Sequence, residues 1–171
     1  RRHGRVTSVT DWQERIDAFW QALDEERPQE MIRQMRVLIA ELGSDDARGP
    51  FELGGVFDAL GMEEVAAAHY RRALELGLDD ERAARLAIQH GSTLRNLGRI
   101  DEAIEVLVHA PDHDAVGDAR AIFLALALHD AGRSGEAVRV LVEALEPALP
   151  SYRRSVRAYA EELPEPPRHG T

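Results

Sequence analysis

The sequence contains no cysteine and no lysine, and each absence excludes a class of chemistry. Without cysteine there is no disulfide framework, no thiol nucleophile and no thiolate metal site. Without lysine there is no phosphate-binding P-loop lysine and no Schiff-base mechanism. All 21 basic residues are arginine, and this usage, with abundant alanine, leucine, valine and glycine, suggests a GC-rich bacterial genome.

Long apolar runs are missing as well. The sequence has no stretch of about 18 apolar residues, so we expect no membrane span, and no signal-peptide pattern is seen, which favours a cytoplasmic location. A length of 171 residues is enough for one domain with a substantial core. The net charge of −10 argues against nucleic-acid and anionic-membrane partners, because both require a positive field.

The apolar residues follow helical spacing nearly throughout the chain. Trp12, Ile16, Phe19 and Trp20 predict an amphipathic first helix, and at this spacing its aromatic residues favour a core position over exposed anchors for a partner. The pattern predicts a single all-helical domain over 10–163, between a disordered arm (1–9) and a disordered tail (164–171). Within it we expect a helix pair (10–42), three helical hairpins (50–77, 80–110 and 115–146, together 50–146) and a last helix (151–163).

A repeat sets the architecture of the central hairpins. Gly98 and Gly132 lie 34 residues apart, and each is followed by a Glu-Ala pair and then by apolar residues at helical spacing. A fixed period of this size is typical of stacked helical hairpins. Gly61 precedes Gly98 by 37 residues, so three extra residues must form a longer connection or an extended helix. Gly77 is expected to end a helix in the left-handed conformation.

Small residues recur in register where the two helices of a hairpin would approach most closely, namely at Gly54, Ala66, Ala73, Gly91, Ala103, Ala110, Ala125, Ala137 and Ala144. In this respect residues 50–146 resemble tetratricopeptide repeats, and the chain looks similar to small bacterial proteins of that family with unassigned roles. The resemblance implies an all-α, right-handed superhelical stack of three hairpins. Residues 10–42 depart from the motif because Trp20 and Ile32 are too bulky, and 151–163 would be the polar cap that an open-ended stack needs.

The resemblance also implies a non-catalytic protein–protein interaction module that binds a peptide or partner segment in a concave groove. Matching the family's inward positions places these residues in the groove: Arg48, Phe51, Asp58, Arg85, Ile88, Gln89, Ser92, Arg95, Asn96, Ile122, Leu126, His129 and Asp130. Arginines beside an apolar strip suit a peptide with apolar anchors and an acidic group or free carboxylate. The lysine–asparagine clamp of chaperone-binding members is absent, since Ile88 and Ser92 stand at the matching second-repeat positions.

Several other interpretations compete with this one. Arg85 and Arg95 would also suit surface ion pairs with Asp79, Asp80 or Asp130. The apolar strip would alternatively be covered by the chain's own N-terminal helices, or by a second copy in a homodimer whose role is assembly.

Only one segment, HAPDHD, is dense in possible metal ligands, with His109, Asp112, His113 and Asp114. Four ligands do not easily converge from a six-residue loop that contains proline, so we expect a solvated turn and no metal. His129 before Asp130 has the form of an acid–base pair, but a histidine at a helix C-terminus is favoured by the helix dipole. We therefore expect no cofactor and no enzymatic activity.

Overall fold

The computed structural model describes residues 9–164, and all of its regular elements in that range are helical. The sequence prediction of an all-α protein is thus confirmed. The expectations for a disordered arm and tail lie, apart from Val9 and Pro164, outside the described residues. The helices are α1 Val9–Gln21, α2 Pro28–Ile39, α3 Arg48–Ala59, α4 Glu63–Leu76, α5 Asp80–Asn96, α6 Ile100–Val108, α7 Ala119–Asp130, α8 Ser134–Leu145 and α9 Arg153–Glu161, with a 3-10 turn at Glu146–Ala148.

The chain divides into two compact units, of which unit 1 ends at Leu76 and unit 2 begins at Gly77. In unit 1, α1 packs on α2, α2 on α3 and α3 on α4. In unit 2, α5, α6 and α7 pack on one another, α7 packs on α8, and α9 packs on α8 and on the 3-10 turn. None of the helices within residues 9–164 combines the length and the hydropathy needed to cross a bilayer.

The apolar face of α1 forms one side of the core of unit 1. Trp12, Ile16 and Phe19 are buried, as their spacing along one helical face predicts. Trp20 is partly buried and donates its indole Nε1–H to the buried carboxylate of Glu52 at 2.7 Å. The aromatic residues of α1 are therefore structural, and Trp20 provides the partner that a buried glutamate requires.

Glycine allows the two helices of the first hairpin to meet. A Cβ atom on Gly54 would lie 2.6 Å from Cδ1 of the buried Tyr70 ring, so only a residue without a side chain fits. The second hairpin repeats this arrangement, because a Cβ on Gly91 would lie 2.6 Å from Cγ of Leu107. Gly54 and Gly91 are two of the positions at which the repeat pattern predicts a small residue.

The three hairpin turns share one hydrogen-bond pattern. Gly61, Gly98 and Gly132 have φ angles of +70°, +74° and +75°. The N–H of the residue after each glycine donates to a carbonyl five residues earlier, at 2.8 Å in all three turns. This Schellman motif satisfies carbonyls at the helix end that would otherwise lack a partner. Gly77 also has a positive φ, +84°, which confirms the prediction made for it.

Differences from the expected boundaries have local causes. The three extra residues of the second repeat extend α5, which has 17 residues where α3 and α7 have 12 each. The third hairpin begins at Ala119 and not near residue 115, because the preceding turns include Gly117 with a φ of +49°. The last helix begins at Arg153 and not at Ser151, because Tyr152 adopts a left-handed conformation with φ +67°.

Candidate functional site

Unit 2 contains most of the residues expected to contact a partner, and they lie on two neighbouring helices. Asp79 caps α5, because its side chain accepts a hydrogen bond from the backbone N–H of Arg82 at 2.9 Å. This bond stabilises the first turn of the helix. We call the following set the α5–α7 face: Arg85, Ile88, Gln89, Ser92, Arg95 and Asn96 on α5, with Ile122, Leu126 and His129 on α7. Because these positions recur at helical spacing, each helix presents its members on one side.

On α7 the apolar residues divide between core and surface. Leu124, Ala125 and Leu128 are buried among core residues of α5, α6 and α8. By contrast, Ile122 and Leu126 are 48 % and 41 % exposed, one helical turn apart. On α5, Ile88 is partly buried. The face thus includes an apolar strip on which two large aliphatic side chains remain accessible.

An ion pair joins the two helices across this face. Arg95 Nε donates to Asp130 Oδ2 at 2.6 Å, and both side chains are about one-third exposed. At this exposure the pair contributes only about 0–1 kcal/mol to stability. Arg85 instead pairs with Glu81 on its own helix at 3.0 Å. Both arginines therefore take part in ion pairs. The pair of Arg95 with Asp130 is one that the surface ion-pair interpretation named, whereas Glu81, the partner of Arg85, was not among the acids expected.

Polar groups complete the face. His129 Nδ1 lies 3.0 Å from Ser134 Oγ, which places the imidazole at the start of α8. Asn96 is exposed at the last position of α5, and Ser92 is partly exposed. Among the described residues, Gln89 Oε1 is buried without a hydrogen-bond partner. An orphaned acceptor of this kind is rare in folded proteins, and nothing in the sequence pattern of α5 indicated it.

Arg48, Phe51 and Asp58, also expected in the groove, belong to unit 1. Arg48 donates to both carboxylate oxygens of Asp46, at 2.9 Å to Oδ1 and 2.6 Å to Oδ2. Its guanidinium also lies 4.9 Å from the centroid of the Trp12 ring. Phe51 is 8 % exposed and so has little surface left for a partner. Asp58 accepts a 3.3 Å hydrogen bond from the hydroxyl of Tyr70, whose pKa is raised mainly by burial.

The HAPDHD segment forms part of the connection between α6 and α7, and its side chains have separate partners. His109 Nδ1 lies 2.8 Å from the carbonyl of Glu105, and His113 Nδ1 accepts the backbone N–H of Ala115 at 3.1 Å. Asp112 pairs with Arg120 at 2.7 Å. In residues 9–164 no three histidine, aspartate or glutamate side chains are grouped so as to hold a metal ion.

One charged cluster was not anticipated from the sequence. Glu146 is 5 % exposed, and its two carboxylate oxygens accept hydrogen bonds from Arg153 Nε at 2.7 Å and Arg157 Nη2 at 2.9 Å. These two donors hold the pKa of the Glu146 carboxyl below its usual range. The cluster connects α9 to the end of α8. The turn between α8 and α9 brings Glu146 close to the two arginines, so helical spacing alone does not predict these hydrogen bonds.

Paired antiparallel helices, repeated with glycine at the turns and at the close approaches, define a helical-repeat protein. The model of the tetratricopeptide repeat family matches residues 47–163, which is more than half of the chain. The chain therefore belongs to this family, whose fold in general forms non-catalytic protein–protein interaction modules. No curated protein matches the sequence.

Proposed function

We propose that this protein is a non-catalytic interaction module that binds a peptide or a segment of a partner protein on the α5–α7 face. One observation carries the proposal: Ile122 and Leu126 remain exposed one turn apart on a helix whose leucines Leu124 and Leu128 are buried in the core. Exposed apolar side chains that lie together and are bordered by polar groups are typical of binding surfaces. Membership of a family whose general role is protein interaction supports the same function.

The charges beside the apolar strip favour a partner segment that carries an acidic group or a free carboxylate. Arg95 uses one nitrogen for Asp130, and a guanidinium has five N–H donors. The remaining donors of Arg95 can bind a partner carboxylate while Asp130 keeps its bond. Because the Arg95–Asp130 pair contributes little to stability, its rearrangement on binding costs little. Arg85, which is exposed and pairs with Glu81 on its own helix, provides a second cation on the same face.

The test replaces the apolar pair with charge. The double variant Ile122→Glu/Leu126→Glu changes two exposed positions, so we expect it to fold with unchanged helical circular dichroism. Used as immobilised bait against a lysate of the source organism, it should lose a partner that the unmodified protein captures. Loss of two hydrophobic anchors should weaken binding by about ten- to a hundredfold, since burying a fully exposed aliphatic side chain contributes about 1.5–3 kcal/mol and slightly less than half of each side chain is still exposed.

A matched control is available in the same unit. Val138→Glu/Leu145→Glu replaces two apolar residues of α8 with similar exposure, and it should capture the partner normally. Equal capture by all three baits contradicts the assignment of the α5–α7 face. Capture of the chain by itself, with a molar mass that rises with concentration in light scattering, supports homodimeric assembly instead. The cytoplasmic location expected from the sequence stays a prediction.

A further inference from the structure

The last helix carries a positive charge that is unusual for this chain. The protein has a net charge of −10, yet α9 contains three arginines and one glutamate. We call Arg153, Arg154 and Arg157 the arginine cluster. Together with Glu146, Ala158 and Glu161 these three residues line an open surface cavity of about 450 Å³. The arginine cluster is thus accessible from one side of α9 and has room for a ligand.

Glu146 occupies only part of the hydrogen-bonding capacity of the cluster. Arg153 uses its Nε and Arg157 its Nη2 for the Glu146 carboxylate, and their side chains are about half exposed or more. Each guanidinium has five N–H donors in a planar fork. Arg154 is exposed and makes no ion pair with any residue of the described range 9–164. One complete guanidinium and most donors of two others remain for an external anion.

Aromatic surface adjoins the cluster. Tyr152 immediately precedes Arg153 and is 78 % exposed. Tyr159 is also exposed, but its helical position places it on the other side of α9 from the three arginines. Tyrosine and arginine are the residue types that are enriched at protein interfaces and that most often dominate their binding energy. An exposed tyrosine next to partly unused arginines favours a polypeptide ligand over a simple inorganic anion.

We propose that the arginine cluster and Tyr152 form a second docking surface, which binds an acidic segment of a partner protein. Charge complementarity determines this partner, because aspartate and glutamate side chains bind guanidinium groups bidentately. Nucleic acid is the less favoured polyanion, since the net charge of −10 opposes a densely charged phosphate backbone. Glu161, which also lines the cavity, repels a second anion there and limits the ligand to a short acidic segment.

This surface goes beyond the proposed function, because none of its residues belongs to the α5–α7 face. The two proposals are separable by experiment. The variant Ile122→Glu/Leu126→Glu leaves the arginine cluster intact and should keep its affinity for an acidic ligand. A loss of acidic-ligand binding in that variant contradicts the independence of the second surface.

The experiment measures binding of a fluorescein-labelled peptide with three Asp-Glu pairs separated by glycine, which lacks apolar anchors for the α5–α7 face, using fluorescence anisotropy and the full chain. A second peptide with Asn-Gln in place of Asp-Glu is the ligand control. We expect the acidic peptide to bind, the amide peptide not to bind, and affinity to fall as NaCl rises from about 50 to about 300 mM. Failure of the acidic peptide to bind at the lower salt concentration overturns the proposal.

Arg154 is the residue to change, because its replacement breaks no ion pair within residues 9–164. We expect Arg154→Glu to weaken binding by about tenfold or more, since a hydrogen bond to a charged group is replaced by repulsion. Arg154→Gln should give a smaller loss. Arg71→Glu on α4, an exposed arginine that likewise makes no ion pair within residues 9–164, should bind as the unmodified protein does.

Three results contradict the proposal. Equal binding by Arg154→Glu and the unmodified protein shows that the peptide binds elsewhere. An equal loss in Arg71→Glu shows that only the overall charge matters. A fluorescein-labelled single-stranded oligonucleotide that binds more tightly than the acidic peptide, and loses that binding in Arg154→Glu, assigns the surface to nucleic acid.

Discussion

The close approach between α3 and α4 predicts that two glycine-to-alanine changes in the same helix have opposite effects on stability. Gly54 faces the ring of Tyr70, while Gly49, near the start of α3, is buried without so close a neighbour. A Cβ on Gly49 would meet only Cβ of Ile39, at 3.9 Å, which is an ordinary contact. The residue change is the same at both positions, and helix propensity favours alanine more strongly at the internal Gly54 than in the first turn, so a loss at Gly54 reports on packing.

The size of the effect follows from the distances. At Gly54 the new carbon would lie 2.6 and 2.7 Å from two carbons of the Tyr70 ring, about 1 Å closer than carbon atoms normally approach. Tyr70 is fully buried, so we take the upper part of the usual cost of overpacking, about 2–3 kcal/mol. Alanine recovers about 1 kcal/mol through helix propensity. The net expectation is a loss of about 1–2 kcal/mol for Gly54→Ala and a gain of about 0.4–1 kcal/mol for Gly49→Ala.

Urea unfolding followed by far-ultraviolet circular dichroism measures both changes against the unmodified protein. The cost of Gly54→Ala should also shrink in a Tyr70→Leu background, because the ring that blocks the new methyl group is absent and the two positions are coupled. The reasoning is refuted if Gly54→Ala is as stable as Gly49→Ala. It is also refuted if the cost of Gly54→Ala is the same with and without the ring.

Three further changes test other parts of the chain. Asp79→Ala removes the side-chain cap of α5 and should cost about 1 kcal/mol in urea unfolding, whereas Asp79→Asn should cost far less. Tyr152→Gly relieves a left-handed conformation and should stabilise the protein by about 1 kcal/mol in thermal unfolding, with no such gain for Tyr152→Ala. The folded-state pKa of Glu146 lies below its ordinary value of 4.5 because Arg153 and Arg157 donate to it. Its stabilisation is therefore present above pH 4.5 and is lost as pH falls through the folded-state value, and Glu146→Gln should remove that pH dependence of the urea midpoint.

The sequence predicts the helical hairpins well because their determinants are local. A glycine in the left-handed conformation ends a helix wherever its neighbours permit a Schellman turn, and Gly61, Gly98 and Gly132 each do so. The requirement for a small residue at Gly54 and Gly91 is a property of one hairpin at a time. Each of these signals depends on residues within one repeat, so a single sequence is enough to recognise them.

The partners of the charged groups were less predictable, because they depend on which side chains the fold brings together. Arg95 reaches Asp130 across two helices and 35 positions of sequence, while Arg85 finds Glu81 one turn away on its own helix. The repeat pattern places both arginines on the same face of α5 and does not tell a partner on another helix from one on the same helix. Phe51 shows a related limit. The repeat pattern predicts the side of the helix on which its side chain lies but not that neighbouring residues bury it.

Glu146 illustrates why the end of a repeat chain is the hardest part to predict. Inside the array each hairpin contacts neighbours of known pattern, so the identity of a position indicates its surroundings. After α8 the repeat ends, and the 3-10 turn at Glu146–Ala148 and the left-handed Tyr152 set the direction of α9. That direction buries Glu146 against two arginines and leaves Arg154 exposed. A pairing that depends on one non-repeating turn has no periodic signal, which is why the contact of Glu146 with Arg153 and Arg157 emerges only from the structure.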